Sequence, residues 1–186
     1  RHHADRVGHD VVQLAGDAGA FLGGGPGRLE LALALQPFGA RDGLVAALDA
    51  GLEPLLLEVS ERGTRNYPKE TLRRKMSRLG SEIVAIPSDD WTLFGARATT
   101  EVFDSTWAIF ADRVMNPTLD EEDVSLIKSQ FLSGIRQRRD DPDELAEYLA
   151  DSIAFAGHPY VIPLIGTEQS LASLNAKALR DYQASQ

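Results

Sequence analysis

Residues 82 to 87 and 91 to 99 form two apolar runs parted by the polar triplet Ser88-Asp89-Asp90. In the second run Trp91, Leu93, Gly95 and Arg97 alternate with Thr92, Phe94, Ala96 and Ala98, the period of two that a strand with one buried face requires. This pattern predicts a β-hairpin. An isolated hairpin is marginal in water, so the flanking segments must supply further strands or covering helices. Leu29, Leu31, Leu33 and Leu35 repeat the period of two and predict another half-buried strand, followed by a turn near Phe38-Gly39-Ala40. Most of residues 1 to 28, with His2, His3, His9 and the run Gly23 to Gly27, reads as irregular, apart from a short strand around Val11 to Leu14.

Elsewhere the spacing turns helical. Val45, Leu48, Leu52, Leu55, Leu56 and Val59 predict a helix from Asp42 to about Ser60, broken or bent near Gly51 and Pro54. Pro68 stands at a first helical position ahead of Leu72, Met76 and Leu79, and Gly80 stops that helix. Phe103, Thr106, Trp107, Phe110 and Val114 form one stripe. Val124, Ile127, Phe131 and Ile135 form the next, with Asp120 as its cap and Glu121, Glu122 and Asp123 in its first turn. A third helix opens at Asp141-Pro142 and is expected to bury Leu145, Tyr148, Leu149 and Ile153. A loop through His158, Pro159, Tyr160, Pro163 and Gly166 leads to a last helix around residues 176 to 182. This order predicts an α+β fold, a largely antiparallel sheet with helices packed on one face, in one domain over residues 1–186.

Composition narrows the function classes. The 28 acidic residues outnumber the 19 basic ones and leave a net charge of −9, which repels nucleic-acid backbones and anionic membranes. No apolar stretch approaches the ~20 residues that span a bilayer. The absence of cysteine excludes disulfides, thiol catalysis and thiolate metal sites, and it leaves the compartment undecided, with a periplasmic or extracytoplasmic one preferred.

Several short stretches in their order along the chain carry a resemblance. Gly63-Thr64, the helix ending at Leu79-Gly80, the hairpin Ala85 to Thr92, Asn116-Pro117 before an acidic helix start, Asp140-Asp141-Pro142, His158-Pro159-Tyr160 and Gly166 to Leu171 resemble the pitrilysin/insulinase metallopeptidase family, in particular its mitochondrial-processing-peptidase-like branch. The resemblance runs from about Gly51 to Tyr182. It implies an α+β peptidase-like domain, repeated in one polypeptide or paired with a related subunit around a peptide-holding chamber. The family's domain continues beyond the position of Tyr182, so the chain is expected to be trimmed at its C-terminal end.

In active members of that family an H-x-x-E-H motif precedes the Gly-Thr pair, and a later glutamate completes the site. Two neutral imidazoles and a carboxylate hold Zn²⁺, and the intervening glutamate activates the metal-bound water. Counting back from Gly63-Thr64, the motif falls on Pro54-Leu55-Leu56-Leu57-Glu58, so that Pro54 and Glu58 replace the histidines and Leu57 replaces the base. The later ligand falls on Gly134. The resemblance therefore implies a degenerate member without catalytic residues, metal or cofactor. On the family's substrate-pairing edge strand, Val84-Ala85 stands where active members often carry asparagine and alanine. A strand edge binds peptide through its backbone, so Ile83, Val84, Ala85 and Ile86 remain a peptide-binding edge in principle, unless another domain covers it.

The expected function is a non-catalytic domain or subunit that helps form the chamber and holds peptide for a zinc-bearing family subunit or second domain. A structural scaffold without peptide binding is the alternative, and a working zinc endopeptidase with unusual ligands is a third reading. The glycine-rich run lacks the Lys-Ser/Thr ending and following helix of a phosphate loop. No third ligand stands at a fixed helical offset from His2, His3 and His9. Arg136, Arg138 and Arg139 adjoin Asp140, Asp141 and Asp143 and read as a self-compensating helix end.

Overall fold

The computed structural model describes residues 19–23, 28–35 and 49–185. The short strand expected at Val11 to Leu14, the turn near Phe38-Gly39-Ala40, the part of the expected helix from Asp42 to Leu48 and the histidines His2, His3 and His9 lie outside the described residues. Among the described residues four strands, β1 (Gly19–Gly23), β2 (Arg28–Leu35), β3 (Glu82–Pro87) and β4 (Thr92–Thr99), form an antiparallel sheet in the order β1-β2-β4-β3. Strand β1 lies in the stretch 1 to 28 expected to be largely irregular; antiparallel pairing with β2, which no local period records, makes it a strand. The helices are α1 (Leu52–Ser60), α2 (Lys69–Leu79), α3 (Phe103–Met115), α4 (Glu121–Asp140), α5 (Pro142–Ala154), α6 (Glu168–Ser173) and α7 (Ala176–Ser185), with a 3₁₀ turn at Pro159–Val161. The expected α+β class, with its antiparallel sheet, is the architecture observed.

Two compact units divide the chain, the first comprising Arg1–Pro37 and Ser60–Thr118 and the second Phe38–Val59 and Leu119–Gln186. In the first, Thr92, Phe94, Ala96 and Ala98 turn the buried face of β4 toward α3, where Phe94 meets the fully buried Phe110 at 5.1 Å between ring centroids. The alternation read in residues 91 to 99 is thus realised, with Arg97 and Thr99 on the exposed face. Helix α2 ends as expected on Gly80, whose φ of 60° is the left-handed conformation that a C-terminal glycine adopts without a Cβ penalty.

The second unit is built around one apolar cluster. Leu52, Leu55 and Val59 of α1 pack with Val124, Ile127 and Ile135 of α4, with Leu119, with Leu171 of α6 and Leu179 of α7, and with Leu174 between those two helices. Each fully buried leucine contributes roughly 1.5–3 kcal/mol. Helix α1 begins at Leu52, directly after Gly51 at φ +86°, so Pro54 lies in the first turn, where its missing N–H has no intrahelical partner to lose. The Lys128 ammonium donates to the Leu174 carbonyl at 2.6 Å and to the Ala172 carbonyl at 3.4 Å, satisfying carbonyls at the end of α6.

Two expected caps differ in outcome. Asp141 caps α5, its carboxylate accepting from the Asp143 and Glu144 N–H groups at 3.0 and 3.2 Å. Asp120 occupies the same position on α4 without a side-chain cap hydrogen bond. Arg136 and Arg139 lie 3.9 and 3.3 Å from the Glu168 carboxylate, and Arg138 lies 3.9 Å from Glu144, so distant glutamates rather than the adjacent aspartates compensate this helix end. The expectation that α5 buries its apolar stripe is overturned: Leu145 is half-buried, while Tyr148, Leu149 and Ile153 are 39%, 48% and 77% exposed. Helical spacing specifies that a stripe exists, and only the neighbouring elements determine whether it is covered.

Candidate functional site

Strand β3 has a single neighbour among the described residues, β4, with the register Glu82↔Arg97, Ile83↔Ala96, Val84↔Gly95, Ala85↔Phe94, Ile86↔Leu93 and Pro87↔Thr92. Next in this register, the Ser88 N–H donates to the Trp91 carbonyl at 2.9 Å, which makes Ser88 and Trp91 a hydrogen-bonded pair. Hydrogen-bonded and non-hydrogen-bonded pairs alternate along an antiparallel ladder. Ile86, Val84 and Glu82 therefore bond inward to β4, whereas Pro87, Ala85 and Ile83 direct their backbone groups away from it. Pro87 has no N–H and falls on a position where none is needed. The outward donors and acceptors of the edge are those of Ile83 and Ala85. Ile83, Val84 and Ala85 are half-buried, and Ile86 is 49% exposed on the face shared with Leu93.

Pro54, Leu57 and Glu58 lie on α1, and Gly134 lies on α4. Pro54 is buried, Leu57 is half-buried and Glu58 is exposed. Gly134 is exposed, and a Cβ added there would meet no heavy atom within 4 Å. Proline, leucine and glycine side chains offer a metal no donor atom, so the single Glu58 carboxylate is all these positions supply. They do not fit zinc. Among the described residues no group of three or more His, Asp or Glu side chains is placed to hold a metal ion.

The Gly63-Thr64 pair anchors a buried polar network. The Asp112 carboxylate, only 5% exposed, accepts from the Thr64 hydroxyl, from the Asn66 N–H at 3.1 Å, from the Asn66 amide at 2.7 Å and from the Asn116 amide at 3.1 Å. Thr64 also accepts from the Tyr67 N–H at 3.1 Å. The Gly63 carbonyl accepts from the backbone and the hydroxyl of Thr118, each at 3.1 Å. Burial, and secondarily the Asp112 charge, push the Tyr67 phenol above its ordinary value. Next along α3, the buried Arg113 donates to the Ser60 hydroxyl at 3.0 Å and to Glu61 at 2.8 Å, with its guanidinium 5.0 Å from the Phe94 ring centroid. Sequence reading missed Asp112 and Arg113. The available signal was two adjacent charges within the otherwise apolar segment Trp107 to Val114, where burial of charge is costly unless both are partnered.

His158 is a cap rather than a ligand: its Nδ1 accepts from the Tyr160 N–H at 3.3 Å. Phe155 and His158 lie 5.6 and 4.4 Å from the Tyr160 ring.

Comparison with known proteins places this geometry in context. The family model described as insulinase (peptidase family M16) matches residues 50–168. The chain is 26% identical over 132 residues to an uncharacterized zinc protease of Bacillus subtilis, YmxG, covering 71% of this chain and 32% of that one. It is 21% identical over 140 residues to a probable mitochondrial-processing peptidase subunit beta of Schizosaccharomyces pombe, covering 73% of this chain and 30% of the relative. Among solved structures, a peptidase M16 inactive domain from Pseudomonas fluorescens superposes with a TM-score of 0.72 at 20% identity, over 83% of this chain and 37% of that one. The chain thus spans about a third of the length of these relatives.

Proposed function

Since the chain belongs to the insulinase family of peptidases, family M16, we propose that it is a non-catalytic member that holds extended peptide along β3 for a zinc-bearing family subunit or second domain. The presence of only one donor, the Glu58 carboxylate, among Pro54, Leu57, Glu58 and Gly134 supports a role without hydrolysis. The single observation that carries the holding role is the outer position of β3 among the described strands, with the backbone groups of Ile83 and Ala85 directed away from β4. A peptide laid along this edge gains main-chain hydrogen bonds at those two residues and adds a strand to the sheet.

The test exploits the alternation of the ladder. Ala85→Pro removes an outward donor that β4 does not use, whereas Val84→Pro removes an inward one. Peptide affinity is measured for the chain together with its zinc-bearing partner. Ala85→Pro is expected to weaken binding about 10-fold or more with little change in melting temperature, and Val84→Asn is expected to change it less. If Ala85→Pro binds peptide as tightly as the parent, the holding role fails and a scaffold without peptide binding replaces it.

A further inference from the structure

We propose that a second copy of this chain docks by opposed charge, its basic helix α2 lying against the acidic and apolar helix α5 of the first copy. The proposal is independent of peptide holding, because β3 takes no part in it.

Helix α5 presents two adjoining surfaces. Tyr148, Leu149 and Ile153 form an exposed apolar strip, continued past the helix end by the exposed rings of Phe155 and Tyr160. On the flank next to Tyr148 stand Glu147 and Asp151, one helical turn apart and both exposed. Helix α5 contains no Lys or Arg, and none occurs anywhere between Arg139 and Lys177. An exposed aromatic and aliphatic strip beside carboxylates that meet no Lys or Arg among the described residues favours a partner that brings cations on long aliphatic stems. Such stems cover apolar surface, and guanidinium groups stack on aromatic faces.

Helix α2 has that chemistry. Its sequence KETLRRKMSRL sets five cationic side chains against a single glutamate. Lys69, Arg73, Arg74, Lys75 and Arg78 are all exposed, and only Leu72 of the helix is fully buried. Arg73 pairs with Glu70 at 2.9 Å, and the Lys75 ammonium sits 4.6 Å from the Tyr67 ring centroid. Arg74 and Arg78 are one turn apart on the outer face, the same spacing as Glu147 and Asp151. The match matters because the chain as a whole carries −9, and like-charged copies repel unless opposite patches meet. The contact joins different surfaces on the two molecules. It closes into a dimer when each copy gives both helices, and otherwise propagates.

Sedimentation equilibrium of the full chain, alone and in mixtures, tests this pairing. The parent chain is expected to self-associate. Arg74→Glu/Arg78→Glu and Glu147→Arg/Asp151→Arg are each expected to weaken self-association about 10-fold or more, since each sets like charges against each other. Mixing these two variants is expected to restore association, because every α2–α5 contact between them is again attractive. Ile153→Asp is expected to weaken association while leaving the circular dichroism spectrum unchanged, which separates loss of docking from loss of folding. A parent chain that stays monomeric at a few hundred micromolar overturns the proposal. So does self-association that survives either charge reversal, a mixture that fails to associate, or a loss confined to the α5 variant, which would assign that face to a different partner.

Discussion

Gly51 and Gly166 are a reciprocal pair: a Cβ on Gly51 would lie 2.5 Å from the Ile165 carbonyl oxygen, and a Cβ on Gly166 would lie 2.5 Å from the Ala50 carbonyl oxygen. Both have positive φ, +86° and +87°, so each glycine meets a conformational and a steric requirement together. The two backbones cross where α1 begins and where the Gly166-Thr167 cap of α6 begins, and the contact seats Leu52 and Leu171 in one core.

Alanine at either position is therefore expected to destabilise the chain by about 2–4 kcal/mol, combining the positive-φ penalty with backbone displacement. Because the second substitution acts on a crossing already forced apart, the double variant should cost less than the sum of the singles. Urea midpoints of the parent, the two single variants and the double variant check this.

Gly134 sits in the interior of the 20-residue helix α4 with open space where its Cβ would be. Gly134→Ala is expected to stabilise the chain by about 1 kcal/mol through helix propensity. Thermal melting checks the sign, which is opposite to that expected at Gly51 and Gly166.

Tyr67 provides a pH signature. Its phenol is raised above the ordinary 10.0 by burial and by the Asp112 charge, so the fold favours the protonated form. The unfolded chain releases this proton first as pH rises. The contribution is therefore fully present below pH 10 and is lost as pH climbs through 10 toward the folded-state value. Tyr67→Phe should flatten the fall in stability between about pH 9 and 11, and Asp112→Asn should reduce it less, since burial is the larger cause. Urea midpoints across that range are the measurement, and identical slopes in parent and Tyr67→Phe would contradict it.

The elements were legible where one local signal determines them. The alternation in residues 91 to 99 specified β4, Gly80 specified the end of α2, Asp141-Pro142 the start of α5, and the leucines at 29, 31, 33 and 35 lie on β2. Gly51 marked the start of α1, but its reason is the Ile165 carbonyl, 114 positions away, which no local pattern records. The residue types at Pro54, Leu57, Glu58 and Gly134 were also readable without coordinates, because ligand chemistry is a matter of side-chain identity.

The amino-acid sequence alone determined the types of most elements, though not strand β1 or helix α6, together with the stripe on each helix, the family likeness and the residue types at Pro54, Leu57, Glu58 and Gly134. These depend on side-chain identity and on periods of a few residues. Tertiary structure alone decided that β3 is the outermost of the described strands on its side of the sheet, with the backbone groups of Ile83 and Ala85 directed away from β4, that Asp112 is buried among Thr64, Asn66 and Asn116, and that the stripe of α5 is exposed. Each of these depends on which distant segment packs alongside, and burial and pairing are properties of neighbours in space.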